Sequence, residues 1–143
     1  MGTCGGFQHA ILEYARNVLG WAEAEHAEMA PEAAQAVITP LACALVEATN
    51  VVRFVPESRI AAIYNASESS EGYHCSYGLN PALARELTAG PLRATATDAT
   101  GEVRAVELDG HPFFIATLFQ PERAALAGNV PPLARALLQA AAV

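Results

Sequence analysis

The chain has 143 residues, enough for one domain with a continuous core. Its formal net charge is −7, and its eight basic residues are all arginines scattered between Arg16 and Arg135. That argues against a basic stripe for nucleic-acid backbone. No apolar run approaches the ~20 residues that cross a bilayer, and the N-terminus lacks a basic region followed by an apolar core, so neither a membrane partner nor a signal peptide is expected.

In chain order, the first element is a helix over Phe7 to Leu19. Phe7, Ile11, Tyr14 and Val18 repeat at helical spacing beside Ala10 and Leu19, and Gly20 stops it. Trp21 to Ala36 is acidic and alanine-rich, and reads as a loop with some helical character. Val37 to Glu47 is apolar and β-capable around Pro40, and Val51 to Val55 reads as a short separate strand. Glu57-Ser58 caps a short helix over Arg59 to Tyr64. Asn65 to Gly72 is polar and turn-rich, Tyr73 to Leu79 reads as a strand ended by Asn80-Pro81, and a helix follows over Pro81 to Leu87. Arg93 to Asp98 alternates, Thr100-Gly101 turns, Val103 to Leu108 alternates again, and Asp109-Gly110 makes a hairpin turn. Phe113 to Phe119 reads as a buried apolar strand. Pro131 opens a closing amphipathic helix through Ala142. Strands mixed with helices, with one buried strand delivering a motif at its C-terminal end, define an α/β domain.

Cys4, Cys43 and Cys75 are odd in number and far apart, which fits neither a disulfide framework nor a zinc site. A cytoplasmic protein with reduced thiols, no metal and no cofactor is expected. Cys43, inside an apolar run, is expected to be a buried core thiol.

Gly2-Thr3-Cys4-Gly5-Gly6 has a mechanical meaning. Its glycines permit a strained strand-to-helix turn that exposes the thiol, and backbone N–H groups such as that of Gly5 face a developing oxyanion. The start of the helix favours the thiolate, the form in which a cysteine attacks. Such a nucleophile needs a base beside it. Near the other end, Phe119-Gln120-Pro121-Glu122 reads as the acid–base half of the same site, with a glutamine where the base should be.

Gly2 to Gly20 closely resembles the nucleophile region of the class I glutamine amidotransferase domain at the C-terminal end of CTP synthase. The resemblance continues at Glu28 and Pro31, at Tyr77 to Asn80, and from His111-Pro112-Phe113-Phe114 into Phe119-Gln120-Pro121-Glu122. It covers nearly the whole chain. It implies a flavodoxin-like (Rossmann-like) three-layer α/β domain over residues 1–143, with a β-hairpin-rich C-terminal half. It further implies that Cys4 matches the nucleophile that attacks the glutamine amide, Glu122 the carboxylate that orients the base, and Gln8 and Glu28 residues lining the glutamine pocket. Gly5, Cys75, Ser76 and Tyr77 border the same pocket in this reading, and His111 is structural.

Three departures follow from the resemblance. Gln120 stands where the family has its histidine, a change expected to remove orders of magnitude in rate. Ser76 stands where the family has an arginine for the α-carboxylate of glutamine, which removes a bidentate contact. The N-terminal strands of the domain, including the one beneath Cys4, are expected to be missing. His26 and His74 are the candidate replacement bases. Ordinary glutaminase activity is therefore expected to be lost or altered, with Cys-dependent hydrolysis of another small amide or amino-acid-like molecule as the leading alternative chemistry. No glycine-rich, lysine-bearing phosphate loop occurs, so CTP synthesis itself is not expected. Two other classes stay open: a non-catalytic interaction or regulatory protein, paired with itself or another chain through an exposed sheet edge, and a thiol redox protein using Cys4 and Cys75.

Overall fold

The computed structural model describes residues 1–142. In chain order the elements are β1 (Gly2–Thr3), α1 (Gly5–Asn17), β2 (Ala24–His26), β3 (Gln35–Phe54), α2 (Arg59–Tyr64), β4 (Glu68–Leu79), α3 (Ala84–Leu87), β5 (Leu92–Thr97), β6 (Val103–Leu108), β7 (Ile115–Thr117), α4 (Arg123–Leu126) and α5 (Pro132–Ala141). The strands form one mixed seven-stranded sheet in the order β1-β7-β6-β5-β3-β2, with β4 on the other edge of β3. β1 runs parallel to β7 and β2 parallel to β3, and the remaining pairs are antiparallel. An α/β domain with a curled sheet and few helices is the class the sequence implies.

α1 forms where its period placed it. Phe7, Ile11, Leu12, Tyr14 and Ala15 are buried together on one side. Each large apolar side chain taken from water there contributes about 1.5–3 kcal/mol, more than propensity supplies to a helix of this length. α2 also follows its sequence signal, with the Ser58 hydroxyl accepting from the Ala61 N–H at 3.2 Å. β5 and β6 form the expected hairpin, with Gly101 at φ 87° in the connection.

Several expectations are corrected. Trp21 to Ala36 contains no helix; it holds β2 and the start of β3, because buried Ala24 and His26 are drawn beneath α1. The two segments expected between Val37 and Val55 belong to one 20-residue strand, Gln35–Phe54. β4 begins at Glu68, inside the stretch read as a turn, since β3 offers it a partner as far as Arg53. The helix after Pro81 covers only Ala84–Leu87, and β7 only Ile115–Thr117. The strand beneath Cys4 is present for two residues, Gly2 and Thr3, opposite Ala116 and Thr117.

The irregularities of β3 decide its geometry. Between the pairs Pro40↔Tyr77 and Leu45↔Cys75, four β3 residues (41–44) lie opposite Ser76 alone. Between Val46↔His74 and Ala48↔Tyr73, Glu47 is an extra residue, at φ 49°. Such bulges re-aim side chains and twist the strand. Cys43 lies in the first bulge and is exposed, so it is not the core thiol expected from its apolar neighbours. The middle of β3 has β4 on one edge and no strand on the other, which leaves apolar residues there open to solvent.

Gly2 fixes how closely β1 approaches α1. A Cβ on Gly2 would lie 2.9 Å from the Gly6 carbonyl carbon, so the backbone itself would have to move. Gly2→Ala is expected to lower stability by about 1–3 kcal/mol in urea unfolding, whereas Gly6→Ala, which meets nothing within 4 Å, should cost far less.

Candidate functional site

Cys4 is the N-cap of α1, held at φ 48° and ψ −106°. A residue with a side chain adopts positive φ only when its surroundings compel it. Here the Cys4 N–H donates to the Thr117 carbonyl at 2.9 Å, and the Cys4 carbonyl accepts from the Gln8 N–H at 3.1 Å. The turn between a paired strand and a helix start leaves the thiol half-buried, donating weakly to the His74 carbonyl at 3.6 Å. Gly5 follows with open space where a side chain would stand.

Cys75 comes to the same place from β4. It is 3% exposed, and its thiol donates to the Leu118 carbonyl at 3.3 Å. Burial, together with a hydrogen-bonding contact to the Cys4 thiol, pushes the Cys75 thiol up to about 12. The carbonyl that accepts from the Cys4 thiol belongs to His74, the residue before Cys75.

Gln8, one turn along α1, is buried and fully used. Its amide Nε2 donates to the Tyr77 carbonyl at 3.0 Å, and its Oε1 lies 2.9 Å from His26 Nε2. The Glu28 N–H donates to His26 Nδ1 at 3.2 Å, which makes Nδ1 the acceptor and Nε2 the donor to Gln8. The Tyr77 ring stands 5.4 Å from the His26 ring. Both nitrogens of His26 are thus occupied, and burial holds its pKa below the ordinary value. Glu28 itself is exposed.

His74 is not at the thiol either. Alternation along β4 sends its ring to the face opposite the Cys75 side chain, where Nδ1 meets Glu47 Oε1 at 2.8 Å. Arg123 binds the other oxygen of the Glu47 carboxylate and also donates to Gln120 Oε1 at 3.3 Å. Hydrogen bonds from His74, and then from Arg123, hold the Glu47 carboxyl below the usual carboxylate range. The Arg123 side chain lies across Gly72, where a Cβ would meet its Cδ at 3.1 Å. The backbone N–H of Gln120 donates to the Gly72 carbonyl at 2.9 Å, tying the C-terminal motif to β4. Glu122 accepts from the Thr3 hydroxyl at 2.9 Å, beside the nucleophile turn. Ser76 is exposed opposite the four-residue bulge of β3.

The structure therefore brings Cys4, Gly5, Gln8, Cys75, Tyr77, Gln120 and Glu122 to one end of the sheet; His26 is bonded there to Gln8 and the Glu28 N–H, and the His74 ring to Glu47. Sequence reasoning missed Thr3, Glu47 and Arg123. Arg123 stands three residues after Gln120, one helical turn, and was open to discovery by that spacing. Glu47 had no local signal, because its reach comes from a bulge. A cavity of about 470 Å³ lies away from the thiols, beside Arg59, Arg93, Glu107 and Asp109. Its charges serve the fold: Arg59 donates to the carbonyls of His111 and Pro112, and Glu107 accepts from the first N–H groups of α2.

No family model matches the chain. It is 33% identical over 153 residues to the CTP synthase of Aeropyrum pernix, across 99% of this chain and 28% of that protein. It is 34% identical over 131 residues to the CTP synthase of Haloquadratum walsbyi, across 85% of this chain and 23% of that protein. Among solved structures, the Trypanosoma brucei CTPS glutaminase domain with bound acivicin superposes with a TM-score of 0.89 at 29% identity, over 99% of this chain and 59% of that one. Fold and nucleophile turn together define a class I glutamine amidotransferase-like domain. Within that class, the chain is related to the glutaminase domain of CTP synthase and spans about a quarter of the length of the curated relatives it matches.

The state of His26 has a measurable consequence. Its lowered pKa means that, below the ordinary value of 6.5, the folded protein binds fewer protons than the unfolded chain. The contribution is fully present above that pH and is lost as pH falls toward the folded value. Melting temperature should fall with acidification from pH 7 toward 5.5, and His26→Gln should flatten that slope. An unchanged slope in the variant would refute the buried neutral imidazole.

Proposed function

We propose that this chain is a divergent glutamine amidotransferase-like domain in which ordinary glutaminase activity has been lost and Cys4 is kept as a presented thiol without a general base. The observation that carries this reading is Gln120: an amide stands where the resemblance implies a histidine, and its oxygen is taken by Arg123. An amide side chain neither takes the thiol proton nor returns it to departing ammonia.

The two candidate substitutes support the same reading. His26 has both nitrogens engaged by Gln8 and the Glu28 N–H, and the His74 ring is turned toward Glu47. Glu122 retains a partner in Thr3, but a carboxylate without an imidazole to orient has lost its task. Ser76 offers no guanidinium for an amino-acid carboxylate. Hydrolysis of any other small amide meets the same need for a proton donor to the leaving nitrogen. The chemistry left to Cys4 is therefore attack by sulfur on small molecules whose leaving group departs without an imidazole. A cytoplasmic setting with reduced thiols suits such a site; among the described residues, no helix is long and apolar enough to cross a membrane.

A second reading, as a module that pairs with itself or another chain, is favoured by the open edge of β3, where Val46 and Val51 are exposed. Light scattering separates the two: a concentration-independent monomer removes the pairing reading.

Reduced protein incubated with glutamine should release no ammonia above the rate of Cys4→Ser, and Gln120→His alone should restore little, because Ser76 still lacks the carboxylate contact. Robust Cys4-dependent ammonia release from the unaltered chain would overturn the proposal.

A further inference from the structure

Two cysteines from distant parts of the chain are held by neighbouring stretches of backbone. Cys4 reaches the site from the start of α1 and Cys75 from the middle of β4, far apart along the chain. Both are fixed to adjoining residues of the same segment: the Cys4 N–H to the Thr117 carbonyl, and the Cys75 thiol to the Leu118 carbonyl. The Cys4 thiol donates to the carbonyl of His74, the residue next to Cys75, at 3.6 Å, which brings the Cys4 sulfur to the backbone that carries Cys75. The two differ in access: Cys4 is half-buried at the turn, and Cys75 is 3% exposed behind it. The third cysteine, Cys43, is exposed on the β3 bulge and takes no part in this contact.

We propose that Cys4 and Cys75 form a two-electron dithiol–disulfide couple that reduces small hydroperoxides, with Cys4 as the attacking thiol and Cys75 as the resolving one. This deepens the base-free thiol site proposed above and rests on it. In the first step the Cys4 sulfur attacks the distal oxygen of ROOH. An S–O bond forms, the O–O bond breaks, and the thiol proton leaves on ROH, so Cys4 becomes a sulfenic acid and the peroxide is reduced to the alcohol. In the second step the Cys75 sulfur attacks the Cys4 sulfur; the S–S bond forms, the S–O bond breaks, and the hydroxyl leaves as water with the Cys75 proton. Two molecules of a low-molecular-weight thiol return the pair to the dithiol and leave as their own disulfide. Cys75, 3% exposed, is out of direct reach of an oxidant in solution, which assigns the first attack to the half-buried Cys4. No imidazole is needed at any point, because a sulfenic acid is a reactive electrophile and an alcohol or water a good leaving product. A small oxidant fits the half-buried Cys4 better than a bulky protein disulfide does.

The test uses the full reduced chain with one equivalent of hydrogen peroxide, followed by alkylation and a non-reduced peptide map. Loss of two hydrogens in intact mass, a Cys4–Cys75 bridged peptide and an alkylated Cys43 are the expected results. Cys75→Ser should stop at the first step, with a Cys4 adduct of dimedone, and Cys4→Ser should leave Cys75 a free thiol. The unaltered chain needs no variant to fold, so its map decides the matter. A bridge that includes Cys43, a Cys4 carried on to sulfinic acid with Cys75 still reduced, or no oxidation by peroxide while a small disulfide reacts would each overturn the proposal. Glutamine hydrolysis by the reduced chain would instead remove the base-free reading, so the two failures are distinguishable.

Discussion

The backbone of Cys4, locked at positive φ between a two-residue strand and a thirteen-residue helix, is the constraint on which the site depends. It is maintained from three sides. Gly2 lets β1 lie against the Gly6 backbone, the Thr117 carbonyl receives the Cys4 N–H, and the buried stripe from Phe7 to Ala15 holds α1 on the sheet. Such a conformation is disfavoured on its own and persists only because packing over-determines it. Its effect is to project one sulfur out of the fold at the end of the parallel β1–β7 pair.

A set of mutually paired polar side chains stands around that turn. The Glu47 bulge joins His74 and Arg123, and Arg123 continues to Gln120, so the motif after β7 is tied to the β3–β4 arm by side chains rather than left to serve the thiol. Deeper in, Gln8, His26 and the Tyr77 carbonyl satisfy one another completely. Buried polar groups that are all paired stabilise a single arrangement and leave no free base. The polar atom set against the Cys4 sulfur from a distant element is the His74 carbonyl, one residue before Cys75.

The sequence made some of this legible and hid the rest for identifiable reasons. α1, α2 and the β5–β6 hairpin carry their own local signals, namely helical period, a serine cap and alternation around a turn, and they form as read. Cys4, Gln8, Gln120 and Glu122 were reached through resemblance, whereas the strand beneath Cys4 was expected to be missing and is present as Gly2–Thr3. β2 and the first part of β4 have no pattern of their own; they are strands because β3 gives their N–H and C=O groups partners. Cys43 looked buried because its neighbours are apolar, yet a bulge lifts it into solvent. Glu47 could not be found from any spacing, because its position depends on one extra residue in a strand ladder. His26 and His74 were visible as histidines, but their partners, Gln8 and the Glu28 N–H for one and Glu47 for the other, could not be read from spacing.

In the function proposed above, the nucleophile turn survives without a base to serve it. The most direct measurement is the pH dependence of Cys4 alkylation by iodoacetamide in the reduced chain, with Cys43→Ser and Cys75→Ser as background. Without a base the rate shows no histidine-dependent step at about pH 6–7. A step in that range that disappears on replacing His74 or His26 with asparagine would contradict it, by showing that an imidazole still activates Cys4.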